Sequence, residues 1–176
     1  MDKKEKLIIV GKSGSGKDFL LQELSKIGFK SSVKITTRPK RDFEVDGINY
    51  QFKTNEEFDS LLNSENLVVS QRFINSKGDV WKYGISRSDY EENQVFIMTP
   101  NEICQISEND RRNCFVVFLD IERDIRESRL ISRNDNNDSI QRRLISDEDD
   151  FSTFKDYDLR ITDPRFEVDL VLDLMI

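Results

Sequence analysis

The 176-residue chain contains no histidine, only two cysteines and only three prolines. Without histidine, Ser–His and Cys–His nucleophilic systems, histidine general bases and histidine metal ligands are all excluded. Two cysteines, Cys104 and Cys114, cannot form a disulfide framework or a four-thiolate zinc site. The first apolar run, 7–10, is too short for a signal peptide or a membrane span, so we expect a cytoplasmic protein that does not bind membranes.

Charged residues, in contrast, are abundant. The chain has 27 Lys and Arg against 34 Asp and Glu, a formal net charge of −7. A net negative chain is a poor partner for nucleic acid unless its basic residues are clustered, so we expect none bound. The length suits one compact domain spanning 1–176 and leaves the oligomeric state open.

An apolar strand, a glycine-rich turn and a helix open the chain. Residues 7–10 predict a strand buried on both faces, and 18–27 carry leucines at helical spacing. The turn between them fits the pattern G-x-x-x-x-G-K, in which glycines let successive N–H groups point at a phosphate and the helix adds its positive end. The predicted ATP-binding residues are Gly11, Lys12, Ser13, Gly14, Ser15, Gly16, Lys17 and Asp18.

Two residues at the end of this turn have predicted chemical roles. Lys17 is expected to bridge the terminal phosphates of ATP as a mobile cation. Asp18 stands where a hydroxyl normally contacts Mg²⁺, and a carboxylate is also a good ligand for that ion. The alternative for Asp18 is a plain carboxylate stabilised by the helix dipole.

The rest of the chain predicts an α/β fold with a mostly parallel sheet. Apolar runs at 95–98 and 115–119 predict core strands, and a last strand is expected near 158–162. Helices are predicted over 123–133 and 139–151.

Between these segments, the polar stretch 36–90 reads as an insertion on the sheet. It is preceded by a possible strand at 31–35 and contains a hairpin at 43–52 that reverses at Asp46–Gly47. Thr54 and Glu57 have the spacing of a capping box.

Basic residues concentrate just before that hairpin. The stretch 30–41 carries five basic residues and no acid. Because guanidinium groups fork onto phosphate oxygens, Arg38 and Arg41 are predicted to clamp a monophosphate, with hydroxyl donors from Tyr50 and Tyr83. A solvated basic loop is the alternative.

Several short motifs together resemble the guanylate kinase family: Thr36-Thr-Arg-Pro39, Arg41, Glu44-Val-Asp-Gly47, Tyr50-x-Phe52 and Tyr83-Gly84, all behind the glycine-rich loop. The resemblance implies a P-loop NTPase core at 1–35 and 91–176, a monophosphate-binding insertion at about 36–90 and a helical lid at about 126–143. It also implies that the acceptor nucleotide is bound by Lys34, Arg38, Arg41, Glu44, Tyr50 and Tyr83.

Departures from the family pattern fall where guanine would be recognised. Lys34 replaces a serine, 67–71 contains no acid, Ile85 follows Tyr-Gly, and Thr99 aligns with an aspartate. Replacing an acceptor by an apolar side chain leaves the donors of guanine unpaired. We therefore expect altered base specificity.

Arginines recur at helical spacing in the predicted lid. The family pattern implies Arg129, Arg133 and Arg143, together with Lys17 and Arg38, as catalytic residues that neutralise the transferring phosphoryl group. Arg126 is expected on a solvated helix face, and the acidic run 147–150 is expected to be surface charge.

These features predict a kinase that uses ATP and Mg²⁺ to phosphorylate small nucleoside or deoxynucleoside monophosphates. One alternative is a phosphosugar kinase such as ribose 1,5-bisphosphate phosphokinase, which would explain the missing base-recognition residues. The aspartate after the loop lysine also resembles that enzyme, as well as some viral deoxynucleotide kinases. Another is a non-catalytic guanylate-kinase-like module that binds phosphopeptides.

Overall fold

The computed structural model describes residues 4–42, 44–75, 77–132 and 139–175. Within these ranges the strands are β1 (Lys6–Gly11), β2 (Ile35–Thr36), β3 (Gln51–Phe52), β4 (Leu67–Ile74), β5 (Val80–Ser86), β6 (Val95–Ile97), β7 (Cys114–Leu119) and β8 (Leu159–Ile161). The helices are α1 (Lys17–Lys26), α2 (Asn55–Asn63), α3 (Arg87–Glu92), α4 (Pro100–Ile103), α5 (Glu108–Arg112), α6 (Arg123–Ser132), α7 (Ile140–Phe151) and α8 (Asp169–Met175). None of the helices in the described ranges has the length and apolar content that a membrane span needs.

A parallel sheet in the order β6-β1-β7-β8 forms the centre of the protein, which confirms the predicted α/β class. Side chains of β1 alternate between two core layers: Leu7 and Ile9 pack on one face, Ile8 and Val10 on the other. Leu20 and Leu24 of α1 cover the first face. Burial on both faces explains why residues 7–10 of this strand are all apolar.

A second sheet, in the order β3-β2-β5-β4, is formed by segments within 35–86. Its largest part is the antiparallel pair of β4 and β5. The capping box predicted at Thr54 and Glu57 is confirmed: the Thr54 hydroxyl accepts from the Glu57 N–H, and the Glu57 carboxylate accepts from the Thr54 N–H. It starts α2, which buries Phe58.

The hairpin predicted at 43–52 is wrong. Gly47 does lie in a turn, with φ +76°, but Asp46 and Tyr50 form only an isolated bridge. Val45 and Ile48 are exposed rather than packed on a sheet, and β3 pairs in parallel with β2 instead. The strand expected at 31–35 is likewise reduced to β2 and an isolated bridge from Ser31.

Two connections meet at one edge of the parallel sheet. The glycine-rich loop follows the carboxyl end of β1, and Thr99 with α4 follows the carboxyl end of the neighbouring β6. In open α/β sheets, ligands bind at this edge.

Candidate functional site

Loop 11–16 has a conformation that requires its glycines. Gly14 and Gly16 have φ of +77° and +105°, values that favour glycine. A Cβ on Gly14 would also lie 2.7 Å from the Arg126 carbonyl oxygen. Because Gly16 is the N-cap of α1, no side chain caps the first N–H groups of that helix, which suits an anion.

Lys17 folds its side chain back over this loop. Its Nζ donates to the carbonyl oxygens of Gly11 at 2.7 Å and Lys12 at 3.1 Å. Desolvation lowers the pKa of Lys17 to about 8. Smaller electrostatic contributions come from Asp18 and Asp147, which raise this pKa, and from Arg143 and Lys34, which lower it.

ATP binding is expected to weaken above about pH 8 for this reason. Lysine carries its charge below its pKa, so raising the pH through about 8 removes the ammonium that the phosphates need. Bound polyphosphate should in turn favour the protonated form, so binding near pH 9 takes up about one proton. Calorimetric titration at about pH 7 and about pH 9, in two buffers of different ionisation enthalpy, measures both effects; pH-independent affinity without proton uptake would contradict the expectation.

Asp18 lies in the first turn of α1, beside Lys17, and its side chain is exposed. The residues fit a nucleotide-associated Mg²⁺, which is usually held by one or two carboxylates together with substrate phosphates. No group of three or more potential metal-ligating side chains occurs within the described ranges, so the chain offers no all-protein metal cage there. Asp18 is the carboxylate that could hold such an ion.

The predicted monophosphate clamp is built around a buried ion pair. The Arg38 guanidinium donates to both carboxylate oxygens of Glu44, at 3.0 and 2.6 Å. Both side chains are nearly inaccessible to solvent. The Arg41 N–H also donates to Glu44, at 2.8 Å, which ties the turn between them to the same carboxylate.

Burial and pairing have opposite effects on these charges. Burial alone would lower the pKa of Arg38, but the hydrogen bond and charge of Glu44 outweigh it and raise that pKa. Burial alone would raise the pKa of Glu44, but the hydrogen bonds from Arg38 and the Arg41 N–H lower it. Both groups are therefore ionised across the neutral range.

Aromatic residues complete this cluster. The Arg38 guanidinium lies 5.3 Å from the ring centroid of Tyr50 and 5.7 Å from that of Phe52. The rings of Tyr50 and Tyr83 are 6.0 Å apart, and burial raises the pKa of Tyr50, so its hydroxyl stays protonated. The structure thus brings together the predicted acceptor-phosphate residues, with the Arg41 side chain at the partly exposed rim.

Lys34 is held by a partner that the sequence analysis missed. Its Nζ contacts both carboxylate oxygens of Glu102, at 2.6 and 2.7 Å, and Glu102 is fully buried. The Thr99 N–H donates to the same carboxylate, and the Thr99 hydroxyl donates to Gln71. Thr99 and Glu102 form a capping box at the start of α4, a spacing visible in the sequence that could have identified Glu102.

The predicted lid arginines have different surroundings. Arg129 donates to the carbonyl oxygens of Gly14 and Ser15, both at 3.2 Å, and so supports the loop through its backbone. Arg143 lies on α7 and its charge acts on Lys17. Arg133 lies outside the described residues.

Arg126, expected on a solvated face, is instead 1% exposed. Its guanidinium donates to the Ile121 carbonyl, to the Ser13 carbonyl and to Glu148, at 2.9, 3.4 and 2.6 Å. A buried arginine requires such partners, and these come from the loop and from a second helix.

The expectation that 147–150 is surface charge is wrong for Asp147 and Glu148, whereas Asp149 and Asp150 are exposed as expected. The Asp147 carboxylate accepts from the Ser13 N–H at 2.7 Å, and Glu148 pairs with Lys12 at 2.5 Å. The packing of α7 against α6, the helix whose Arg126 and Arg129 also contact the loop, places Asp147 and Glu148 beside it.

Known proteins are similar in sequence to most of this chain. A sequence model of the guanylate kinase family matches residues 3–171. The guanylate kinases of Rickettsia prowazekii and Rickettsia typhi are each 30% identical to this chain over 164 residues, which cover 91% of this chain and 83% of theirs. A guanylate kinase of Streptococcus pyogenes is 27% identical over 160 residues, 88% of this chain and 76% of its own.

Solved structures show the same fold. The crystal structure of guanylate kinase from Anaplasma phagocytophilum superposes with a TM-score of 0.65 at 18% identity, covering 98% of this chain and 83% of that one. The family match over nearly the whole length, the curated relatives and the shared fold lead to one conclusion: the chain belongs to the guanylate kinase family.

Proposed function

We propose that the protein is an ATP-dependent kinase of nucleoside or deoxynucleoside monophosphates. The observation that carries the proposal is the arrangement of two clusters of basic and N–H donor groups at one edge of the parallel sheet. The glycine-rich loop follows β1, and Lys34, which precedes the Arg38–Glu44 cluster, pairs with Glu102 of α4, the helix that follows the neighbouring β6. Two such clusters at one sheet edge suit a donor and an acceptor phosphate.

Each cluster has a distinct task in this reaction. Lys17 and the loop N–H groups bind the phosphates of ATP, while Arg38, Arg41 and the tyrosine hydroxyls bind the acceptor phosphate. Mg²⁺ associated with Asp18 supplies charge neutralisation for the donor phosphates when bound. The proposed residues that stabilise the transferring group are Arg129, Arg133 and Arg143.

Base recognition is proposed to differ from that of a guanylate kinase. Val69 and Ile85, at two positions where the family pattern differs, are buried apolar side chains paired across β4 and β5. The carboxylate of Glu102 is occupied by Lys34 and Thr99. The N1–H and amino donors of guanine would then meet no free carboxylate among these side chains, at a cost of about 1–3 kcal/mol each.

GMP is therefore expected not to be the best acceptor. A screen of the common ribonucleoside and deoxyribonucleoside monophosphates with ATP and Mg²⁺, read by ADP release, measures kcat/KM for each acceptor. A guanylate kinase assayed in parallel is the positive control for GMP. A clear preference of this protein for GMP would contradict the prediction.

A phosphosugar acceptor is the second candidate, favoured by the same apolar side chains at Val69 and Ile85. Including ribose 1,5-bisphosphate in the screen separates the two: turnover of the phosphosugar without turnover of any nucleotide would select this candidate. A phosphopeptide-binding module is disfavoured, because such a module needs neither Lys17 nor an ordered ATP loop.

A further inference from the structure

An acidic pair on α7, Asp147 and Glu148, contacts the first half of the ATP loop. Asp147 Oδ2 accepts from the Ser13 N–H at 2.7 Å, and Glu148 Oε2 lies 2.5 Å from Lys12 Nζ. Asp147 therefore binds a backbone N–H of the loop, and Glu148 binds a lysine ammonium of the loop. These are the two kinds of group with which such a loop binds phosphate.

The acidic pair is held in this position by Arg126. Its Nη2 lies 2.6 Å from Glu148 Oε1, and its Nη1 lies 3.6 Å from Asp147 Oδ2. Arg126 is 1% exposed and also donates to the Ile121 and Ser13 carbonyls, which fix its guanidinium beside the pair. The side chain of Asp147 is itself only 17% exposed, so its carboxylate has a defined place at the loop.

Asp147 also lies on the side of the loop where Lys17 acts. Lys17 Nζ donates to the carbonyl oxygens of Gly11 and Lys12, immediately before the N–H that Asp147 binds. The charge of Asp147 contributes to the electrostatic environment of that ammonium. A lysine at this place in a P-loop meets the outer phosphates of the nucleotide, so Asp147 and those phosphates seek the same region.

We propose that Asp147 is an internal competitor of the donor phosphates: its carboxylate occupies the loop before ATP binds and is displaced when ATP binds. The proposal rests on the function proposed above, in which the loop binds ATP. Two anions cannot bind the same donors at once, so ATP binds only the molecules in which Asp147 has left the loop. The apparent association constant for ATP is therefore the intrinsic one multiplied by the fraction of such molecules. Arg143, one helical turn earlier on α7, lies on the same face of that helix as Asp147.

Asp147→Asn is expected to bind ATP about tenfold more tightly than the wild type, because the variant loses the competing charge. Asparagine keeps an oxygen that can accept from the Ser13 N–H, so the loop stays supported. Asp149→Asn, the same change at an exposed position of the same helix, is the matched control and should leave the affinity unchanged. Calorimetric titration with ATP and with inorganic tripolyphosphate measures the effect without any acceptor.

Unchanged or weaker binding by Asp147→Asn would overturn the proposal, because a carboxylate that only braces the loop would give one of these results. Asp147→Ser, with circular dichroism and thermal unfolding of each variant, guards against a folding defect in the first substitution. In steady-state assays, KM for ATP should fall while KM for the acceptor stays unchanged. A general destabilisation of the fold would not change one KM and leave the other unaffected.

The two proposals fail in different ways. If the acceptor screen shows turnover while Asp147→Asn leaves tripolyphosphate affinity unchanged, the kinase assignment stands and the competitor is wrong. If no acceptor is turned over while Asp147→Asn still binds tripolyphosphate more tightly, the competitor role of Asp147 is supported and the kinase assignment is wrong.

Discussion

Lys17→Met is expected to lower kcat/KM for ATP by at least about 1000-fold while the protein stays folded. Methionine keeps much of the apolar stem of lysine but removes the ammonium that donates to the Gly11 and Lys12 carbonyls. That ammonium is already partly desolvated, so its attraction for phosphate is stronger than that of an exposed lysine. Initial rates at saturating acceptor and varied ATP measure the loss.

The matched control is Lys26→Met, which makes the same change at the exposed end of α1, where Lys26 pairs with Glu23. It should alter stability by less than about 0.5 kcal/mol and leave turnover unchanged. Circular dichroism of both variants should match the wild type. Lys17→Met turnover within tenfold of the wild type would exclude the loop as the site of ATP phosphate binding.

Glu44→Ala is expected to lower the free energy of unfolding by about 3 kcal/mol, because it leaves the buried Arg38 guanidinium without its carboxylate. It should also raise KM for the acceptor, since Glu44 fixes both the Arg38 fork and the Arg41 backbone. KM for ATP should change little. Urea unfolding and steady-state kinetics measure the two effects separately.

A double-mutant cycle with Arg38→Met tests whether the pair acts as a unit. The two single substitutions together should cost less stability than the sum of their separate effects, because the second change removes the charge that the first left unpaired. The control is Glu108→Ala, whose partner Arg112 is exposed; it should cost less than about 0.5 kcal/mol. Additive losses at Arg38 and Glu44 would refute the coupling.

The glycine-rich loop could be predicted from the sequence because its determinants are local. A buried strand, two glycines with positive φ and a helix follow one another within about twenty residues, and each leaves its own pattern. The Arg38 and Arg41 clamp was predicted from a local run of basic residues, and motif resemblance added Lys34 and Glu44. The pairing of Arg38 with Glu44 lies in an irregular segment that has no periodicity to interpret.

The contacts of α6 and α7 could not be predicted in this way. Helical periodicity assigns a charged residue such as Arg126 to the solvent side, and only tertiary packing reveals the acids that let it be buried. Those acids lie on the other side of residues 133–138, so no local spacing joins them to Arg126. The hairpin prediction was wrong for a related reason. Alternating apolar residues form a strand only where a neighbouring strand pairs with them and their apolar side is buried.

The support that α6 gives to the loop has a thermodynamic consequence. Arg129 holds the carbonyls of Gly14 and Ser15, and the Arg126 backbone fills the space beside Gly14. The backbone conformational entropy of the loop is therefore lost when the protein folds and not when a nucleotide binds. A rigid receptor loses less entropy on association, so the nucleotide meets a preformed cradle once the carboxylate has moved away.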